Sequence, residues 1–206
     1  GFLVNQGMIS ESDDIISVDV DWESEAVVVR TFNKTNYEEK LKKKIRTSGC
    51  AVGTIFADVM DIFDSIKLDR TTKFHTSWLT ELLKKINTQP SLYLKAGAIH
   101  SCVLCDKYEP IIYVEDVGRH NAIDKIAGWI WYNKKNVSKM MLYTTGRLTS
   151  EMVIKTVQMK IPILISRSGF TAAGVELAKK SDLTLIGRAK GKRFIALSGL
   201  NRIIYD

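Results

Sequence analysis

A charged stretch at residues 115–125 holds the side chains of this chain that are best suited to chemistry. Carboxylates, an arginine, a histidine and a lysine follow one another there at short spacing. An apolar run precedes the stretch and isoleucines at helical spacing follow it, which predicts a strand-to-helix junction. Open α/β sheets bind ligands at such junctions, so we expect Arg119 and His120 to contact a ligand and Asp124 and Lys125 to be structural. The alternative is a solvated, well-capped helix start, because acidic residues suit that end of a helix.

Two later junctions have the same style of sequence. Gly146 and Arg147 lie between a predicted strand and a predicted helix, and so do Arg167 and Gly169. Backbone N–H groups at a helix N-terminus attract anions, and arginine adds a bidentate fork for phosphate. Right-handed crossovers bring such junctions to one edge of a parallel sheet. We therefore predict a phosphate-bearing ligand at that edge, contacted by Gly146, Arg147 and Arg167, with loop bracing by the arginines as the alternative.

A fourth segment, which is basic and contains a glycine, follows the last buried-looking strand. Its residues are predicted to add positive charge for the same ligand: Arg188, Ala189, Lys190, Gly191, Lys192 and Arg193. None of these segments matches a phosphate-binding lysine loop or a dinucleotide fingerprint. A charge run of this kind can also be no more than a solvated face.

The cysteines fall into two groups. Cys102 and Cys105 form a Cys-x-x-Cys that resembles a redox or zinc pair. In the alternation of a strand at 99–104, positions i and i+3 point to opposite faces, so we predict that both cysteines are buried and structural, with the redox or zinc pair as the alternative. Cys50 lies between Gly49 and Ala51, after several lysines and an arginine. Nearby cations lower the pKa of a thiol and raise its thiolate fraction. Cys50 is therefore a candidate carrier of a transferable group, and an incidental surface thiol is the alternative.

The chain from about residue 91 alternates strands and helices. The predicted strands are 92–94, 99–104, 110–114, 140–144, 161–166, 183–187 and 194–197. The predicted helices are 119–132, 149–159 and 172–180. The second and third strands form a hairpin, and the later alternation implies parallel pairing with helices on both faces. Residues 91–206 are therefore predicted to form an α/β domain.

Residues 1–90 are predicted to form a smaller N-terminal α+β region that carries the Cys50 loop. It shows a helix start at 10–14, a strand candidate at 26–32 and a helix at 76–86 that ends before a proline. The opening residues enter in the middle of a pattern, so we expect the N-terminus to be truncated.

The composition agrees with an anionic partner. Lysines and arginines number 30 against 23 aspartates and glutamates, which gives a net charge of +7 and favours nucleic acid, phosphates or an acidic protein face. No apolar run approaches the ~20 residues of a membrane span, and no leader marks secretion. Three cysteines are too few for a disulfide scaffold. We therefore expect a cytoplasmic protein without a membrane partner.

Taken together, these motifs resemble those of the FdhD family, the formate dehydrogenase accessory sulfurtransferases. Residues 115–125 are similar to the family's signature, and residues 145–152 resemble its second motif. Residues 1–9 resemble a stretch that family members carry well inside the chain, which supports the truncation. The similarity covers nearly all of the chain, and further segments fit in order: 97–100, 166–169 and 187–193.

The resemblance implies a sulfur carrier with defined partners. Family members accept sulfur from a cysteine desulfurase as a persulfide and pass it to the molybdenum (or tungsten) bis-guanine-dinucleotide cofactor destined for formate dehydrogenase. The resemblance also implies a cytidine-deaminase-like domain at residues 91–206, a three-layer sheet with helices on both faces, and associates residues 188–193 with dinucleotide binding. We further expect a homodimer and no tightly bound metal of the protein's own.

One position departs from the family pattern. Members often carry Cys-x-x-Cys in the loop matched here by residues 50–53, and Gly53 stands in place of the second cysteine. Cys50 therefore cannot form a disulfide within that motif, and we expect it to carry the persulfide alone. The missing partner leaves room for an altered mechanism.

Two other classes of function fit parts of the sequence. A zinc deaminase needs His-x-Glu and a later Pro-Cys-x-x-Cys, but Ala122 stands two residues after His120, and residues 145–147 contain no cysteine. A nucleotide- or nucleic-acid-binding module without catalysis would use the same positive charge. Such a module normally has aromatic stacking residues among the basic ones, and residues 188–193 contain none.

Overall fold

A computed structural model describes residues 1–9, 15–32, 44–46, 54–92, 95 and 97–206. The predicted helix start at 10–14 lies outside the described residues, and so do Cys50 and Gly53. The roles expected of these two residues therefore stay predictions. In the described part of the chain, no helix is both long enough and apolar enough to cross a membrane.

The helices and strands are named in chain order. The strands are β1 (Ile15–Asp21), β2 (Ala26–Thr31), β3 (Lys44–Arg46), β4 (Thr54–Phe56), β5 (Phe74–His75), β6 (His100–Asp106), β7 (Glu109–Asp116), β8 (Met141–Thr144), β9 (Ile163–Ser166), β10 (Thr184–Lys190), β11 (Arg193–Ser198) and β12 (Ile203–Ile204). The helices are α1 (Phe2–Asn5), α2 (Ala57–Ser65), α3 (Thr76–Thr88), α4 (Arg119–Tyr132), α5 (Ser150–Gln158) and α6 (Ala172–Lys180).

A six-stranded sheet in the order β11-β10-β9-β8-β6-β7 forms the centre of the fold. β8, β9 and β10 pair in parallel, whereas β6 is antiparallel to both of its neighbours and β11 is antiparallel to β10. β8 and β9 are short and buried at every position, as expected of parallel strands that are covered on both faces. The predicted hairpin and the predicted parallel pairing are confirmed.

Helices cover both faces of this sheet. Ile123 of α4, Met152 of α5 and Ala178 of α6 are fully buried on one face. α3 packs on the other face, where Leu82 joins strand residues such as Val103. The predicted mixed α/β fold with helices on both faces is thus observed. α3 precedes residue 90, and the division of the chain into two domains at that point stays a prediction.

One predicted strand is wrong in its described part. Leu92 was expected to open a strand at 92–94, but it is helical. Glu115 of β7 accepts hydrogen bonds from Ser91 Oγ at 2.5 Å and from the backbone N–H of Leu92 at 2.9 Å. This carboxylate satisfies the Leu92 N–H at the start of a helical turn. The apolar run at 92–94 gives no sign of a partner so distant in the sequence.

One edge of the sheet collects the carboxyl ends of four strands. β7 and β8 are both antiparallel to β6, so they run in the same direction as β9 and β10. α4, α5 and α6 begin shortly after β7, β8 and β9, so their N-termini lie at this edge beside His100, the first residue of β6. The prediction that the three glycine–arginine junctions share one edge is confirmed.

Candidate functional site

The loops that follow β8 and β9 are joined through their backbones at this edge. Leu148 and Phe170 form a parallel bridge, and the Leu148 N–H donates to the carbonyl of Gly169 at 2.9 Å. Arg147 and Arg167 are exposed on the two loops. The paired loops therefore hold two cationic forks at one place, which suits an anion with several oxygens.

Close packing explains the glycine in the first of these loops. A Cβ at Gly146 would lie 2.8 Å from the Cβ of Arg119. The Gly146 N–H donates to Thr144 Oγ1 at 3.1 Å, and its carbonyl accepts from Ser166 Oγ at 2.6 Å. The loop after β8 therefore packs directly on the first residue of α4, and a larger side chain would separate them.

The predicted basic segment forms the end of the β10–β11 hairpin. Arg188 has a φ of 51°, a left-handed conformation that non-glycine residues rarely adopt, and its N–H donates to the carbonyl of Ser168 at 2.7 Å. Its Nη2 lies 3.6 Å from where a Cβ on Gly169 would be. Ala189 is buried at 1% exposure, whereas residues 190–193 are exposed. Arg188 thus lies against the loop after β9, and the rest of the basic turn faces solvent.

His120 lies in the first turn of α4, with its ring nitrogens buried at the sheet edge. Its Nδ1 is 3.3 Å from Glu151 Oε1, and neither ring nitrogen makes a well-aligned hydrogen bond to another described residue. Burial lowers the pKa of His120 to about 3, and Arg119, Lys155 and His100 act in the same direction. The imidazole is therefore neutral near pH 7, so one nitrogen donates and the other accepts.

His100 brings a second imidazole to the same edge. Its Nδ1 is buried and has no hydrogen-bond partner among the described residues. Burial lowers the pKa of His100, and the charges of Arg119 and Arg147 lower it further. The edge therefore combines exposed arginines with two partly buried, uncharged rings.

The N-terminus of α5 lacks a side-chain cap. Thr149 is the N-cap residue, but its hydroxyl makes no capping hydrogen bond. Thr149 Oγ1 and Ser150 Oγ are both buried without a partner among the described residues, in residues that are only 3% and 5% exposed. Buried hydroxyls normally find partners. Sequence reasoning missed these two groups, because threonine and serine at a helix start ordinarily cap it.

The carboxylate of Asp116 braces the loop before α4. Its Oδ1 accepts from the Gly118 N–H at 2.9 Å and from Asn121 Nδ2 at 3.1 Å. Its Oδ2 pairs with Lys125 Nζ at 2.8 Å, and Lys125 also donates to the carbonyl of Glu115. These contacts occupy the carboxylate, so within residues 115–125 they leave Arg119 and His120 as the candidates for ligand contact.

A chain of buried polar groups lies beneath the edge. Lys155 Nζ is 2.9 Å from Asp124 Oδ2 and 3.3 Å from Glu151 Oε1. Asn5 Nδ2 donates to Asp124 Oδ1 at 2.6 Å. These contacts tie α1, α4 and α5 together. The sequence offered one sign of Lys155, a lysine four residues after Glu151 in a predicted helix.

Cys102 and Cys105 are buried on opposite faces of the sheet, as predicted. Cys102 belongs to the core beneath α4 and α5, and Cys105 to the core beneath α3. Burial raises the pKa of Cys102 to about 12 and also raises that of Cys105. Both are free thiols, and neither is placed to act as a thiolate. The described residues contain no group of three side chains positioned to hold a metal ion.

The fold and the site define a mixed α/β protein in which arginines, neutral histidines and an uncapped helix share one sheet edge. The FdhD/NarQ family model matches residues 1–204. The chain therefore belongs to the FdhD/NarQ family, and the family expected from the motifs is confirmed.

Individual relatives agree with this assignment. The chain is 32% identical over 197 residues to the sulfur carrier protein FdhD of Wolinella succinogenes, covering 94% of this chain and 68% of the relative. It is 30% identical over 207 residues to the protein of that name from Sulfurisphaera tokodaii, covering 99% and 78%. A crystal structure from Desulfotalea psychrophila, described as a candidate formate dehydrogenase accessory protein, matches with a TM-score of 0.77 and 27% identity, covering 99% of this chain and 78% of that one.

Proposed function

We propose that this chain is a sulfur carrier in the maturation of formate dehydrogenase. Two of its relatives bear the name sulfur carrier protein FdhD, and the similar crystal structure is described as a candidate formate dehydrogenase accessory protein. In this proposal Cys50 accepts sulfur from a cysteine desulfurase as a persulfide. The sulfur then passes to the molybdenum (or tungsten) bis-guanine-dinucleotide cofactor, which is the cargo of the reaction.

The observation that carries this proposal is the open N-terminus of α5. The backbone N–H groups and the dipole of a helix N-terminus attract anions, and the hydroxyls of Thr149 and Ser150, which have no partner among the described residues, offer additional donors. Arg147 and Arg167 stand on the adjoining loops. This arrangement suits the pyrophosphate of a dinucleotide, and it supports the prediction of a phosphate-bearing ligand at this edge.

Arg188 and the exposed turn at 190–193 extend the positive surface from this point. Arg188 lies against the loop after β9, so an anion bound at that loop is within the reach of its guanidinium. The net charge of +7 favours the approach of a polyanionic cargo. We assign the pyrophosphate to the α5 end of the edge and the remaining nucleotide groups to the basic turn.

The chemistry of the three cysteines supports Cys50 as the sulfur carrier. Accepting sulfur requires a thiolate that attacks the terminal sulfur of the donor persulfide, which forms a new S–S bond and releases the donor as a thiolate. Burial raises the pKa of Cys102 and Cys105, so neither supplies a thiolate. Cys50 is the remaining cysteine of the three in the chain, and lysines precede it.

The finer features expected from the family belong to the same proposal. A mixed sheet with helices on both faces and several helix N-termini at one edge is compatible with a cytidine-deaminase-like fold. We further propose a homodimer in the cytoplasm, which light scattering and cell fractionation would test.

The direct test is to locate the sulfur. The protein is incubated with a cysteine desulfurase and cysteine, digested, and analysed by mass spectrometry, with the Cys50→Ser variant as the control. We expect one additional sulfur on the peptide containing Cys50 and no restoration of formate dehydrogenase activity by the variant. Sulfur on Cys102 or Cys105, or full activity with Cys50→Ser, would contradict the assignment. Salt-dependent RNA binding without sulfur loading would favour the non-catalytic module.

A further inference from the structure

His120 and Glu151 approach each other at the centre of the sheet edge. Nδ1 of His120 lies 3.3 Å from Oε1 of Glu151, and the two side chains are only 22% and 8% exposed. A carboxylate accepts hydrogen bonds and cannot donate them. The contact is not an aligned hydrogen bond, but a hydrogen on Nδ1 is attracted to the carboxylate, whereas a lone pair on Nδ1 would be repelled by it. The contact therefore favours the tautomer that carries its hydrogen on Nδ1 and leaves Nε2 with a lone pair.

Glu151 is held from beneath by buried charges. Lys155 Nζ is 3.3 Å from Glu151 Oε1 and 2.9 Å from Asp124 Oδ2, and Asn5 donates to the other oxygen of Asp124. Burying such charges has a large desolvation cost, so buried ion pairs are weak evidence of stabilisation. We therefore interpret these contacts as holding the Glu151 carboxylate in one orientation against the His120 ring, and not as a source of stability.

The surroundings of Nε2 indicate what it contacts. Nε2 is buried and has no hydrogen-bond partner among the described residues. The ring lies near the cations Arg119 of its own helix and Lys155 of α5 and near the His100 ring of β6, while the Glu151 carboxylate of α5 faces Nδ1. An acceptor among cations suits a ligand that carries both anionic oxygens and an N–H or O–H donor.

We propose that Glu151 is a positioning residue that fixes His120 as the Nδ1–H tautomer, so that Nε2 accepts a hydrogen bond from the bound ligand. The identity of the ligand rests on the proposed function, whereas the tautomer does not. In metal sites, a carboxylate commonly orients a histidine by accepting a hydrogen bond from the ring nitrogen that does not bind the metal. In this protein Glu151 faces Nδ1 of His120, and Nε2 faces the sheet edge instead of a metal.

Nitrogen NMR of the imidazole tests the tautomer directly. In protein labelled with ¹⁵N histidine at pH 7, we expect a protonated Nδ1 signal and an unprotonated Nε2 signal for His120. In Glu151→Gln the carboxylate is lost, so the two signals should move toward the average of two tautomers. Glu176→Gln, the same substitution at an exposed position of α6, should leave both signals unchanged. A protonated Nε2 in the unmodified protein would overturn the proposal.

The second readout uses guanosine diphosphate, the nucleotide half of the proposed cofactor. Its addition should shift the Nε2 signal of His120 toward that of a hydrogen-bonded acceptor, and Glu151→Gln, measured at a temperature where the variant is folded, should bind it about tenfold more weakly. Binding without any shift of the Nε2 signal would contradict the acceptor role. An Nδ1–H tautomer in a protein that binds no nucleotide would contradict the proposed function while confirming the role of Glu151.

Discussion

Two helices of this fold carry a Thr-Ser pair at their N-termini, but their ends differ. At α3, Asp206 accepts hydrogen bonds from the Ser77 N–H at 2.9 Å and from Thr76 Oγ1 at 3.1 Å. At α5, the hydroxyls of Thr149 and Ser150 are buried and have no partner among the described residues. The first end is closed by a carboxylate of the chain itself, and the second is open.

The comparison shows that this chain can close a helix end with a single distant aspartate. β12 pairs with β5 and so brings Asp206 to α3. An unsatisfied buried polar group costs about 1–3 kcal/mol. The presence of two such hydroxyls at the N-terminus of α5 therefore requires an explanation other than stability. The open end lies among arginines and neutral histidines, and a bound anion would satisfy it.

The largest effect is expected from the buried charges beneath the open end. Asp124→Ala leaves Lys155, whose side chain is 3% exposed, with Glu151 as its remaining ion-pair partner among the described residues. Removing one member of a buried ion pair costs about 3–5 kcal/mol, and urea unfolding measures that loss. Asp64→Ala breaks the exposed pair with Lys180 and should cost about 1 kcal/mol or less. Equal losses of unfolding free energy in the two variants would contradict the view that the buried ion pairs support the open end.

The next effect is expected from closing the open end. Thr149→Asp places a carboxylate at the N-cap of α5, where aspartate is a preferred residue. The melting temperature should not fall, and the affinity for guanosine diphosphate should fall at least tenfold, or about 1.4 kcal/mol. Isothermal titration calorimetry measures the affinity for guanosine diphosphate. Ser77→Asp, which adds a carboxylate to the first turn of α3 at the closed end, should leave the affinity unaltered. Unaltered affinity in Thr149→Asp would place the anion elsewhere.

A smaller effect concerns pH at the open end. The folded pKa of His120 is lowered to about 3, chiefly by burial, and an unfolded histidine titrates near 6.5. The unfolded state therefore takes up a proton first, and the stability that His120 contributes above pH ~6.5 is lost as the pH falls toward 3. His120→Gln should lose less stability than the unmodified protein between pH 7.5 and 5. An equal decrease in melting temperature for the two proteins between pH 7.5 and 5 would contradict this.

The smallest effect is expected at the closed end. Hydrogen bonds from the Ser77 backbone and from His75 lower the pKa of Asp206 to about 2. The ionised carboxylate therefore contributes above the unfolded pKa of ~3.9, and its contribution is lost as the pH falls toward 2. Asp206→Asn should melt slightly below the unmodified protein at pH 7 and together with it at pH 2. A difference that persisted at pH 2 would show that charge is not the cause.

Sequence periodicity was enough to locate the elements that position the site. The helices predicted at 119–132 and 172–180 match α4 and α6 residue for residue, because apolar spacing is a local signal. The shared edge followed from the alternation of strands and helices. Leu92 was missed because its helical turn depends on Glu115, which lies far along the chain.

The details of the site depend on contacts between elements that no local pattern records. Thr149 and Ser150 look like ordinary helix-capping residues, and only their burial without partners marks them. Lys155 becomes meaningful when Asp124 of another helix is placed beside it. The role of Cys50 stays a prediction from its electropositive surroundings and from the family motif.

Amide chemical shifts during a titration with guanosine diphosphate test the central claim most directly. We expect the amides of Thr149, Ser150 and Glu151 to shift with the bound fraction, because the nucleotide's phosphates occupy the open N-terminus of α5. The amides of Thr76 and Ser77, at the closed end of α3, should not move. Saturable binding that leaves the α5 amides unshifted, or that shifts the two helix ends equally, would contradict the account.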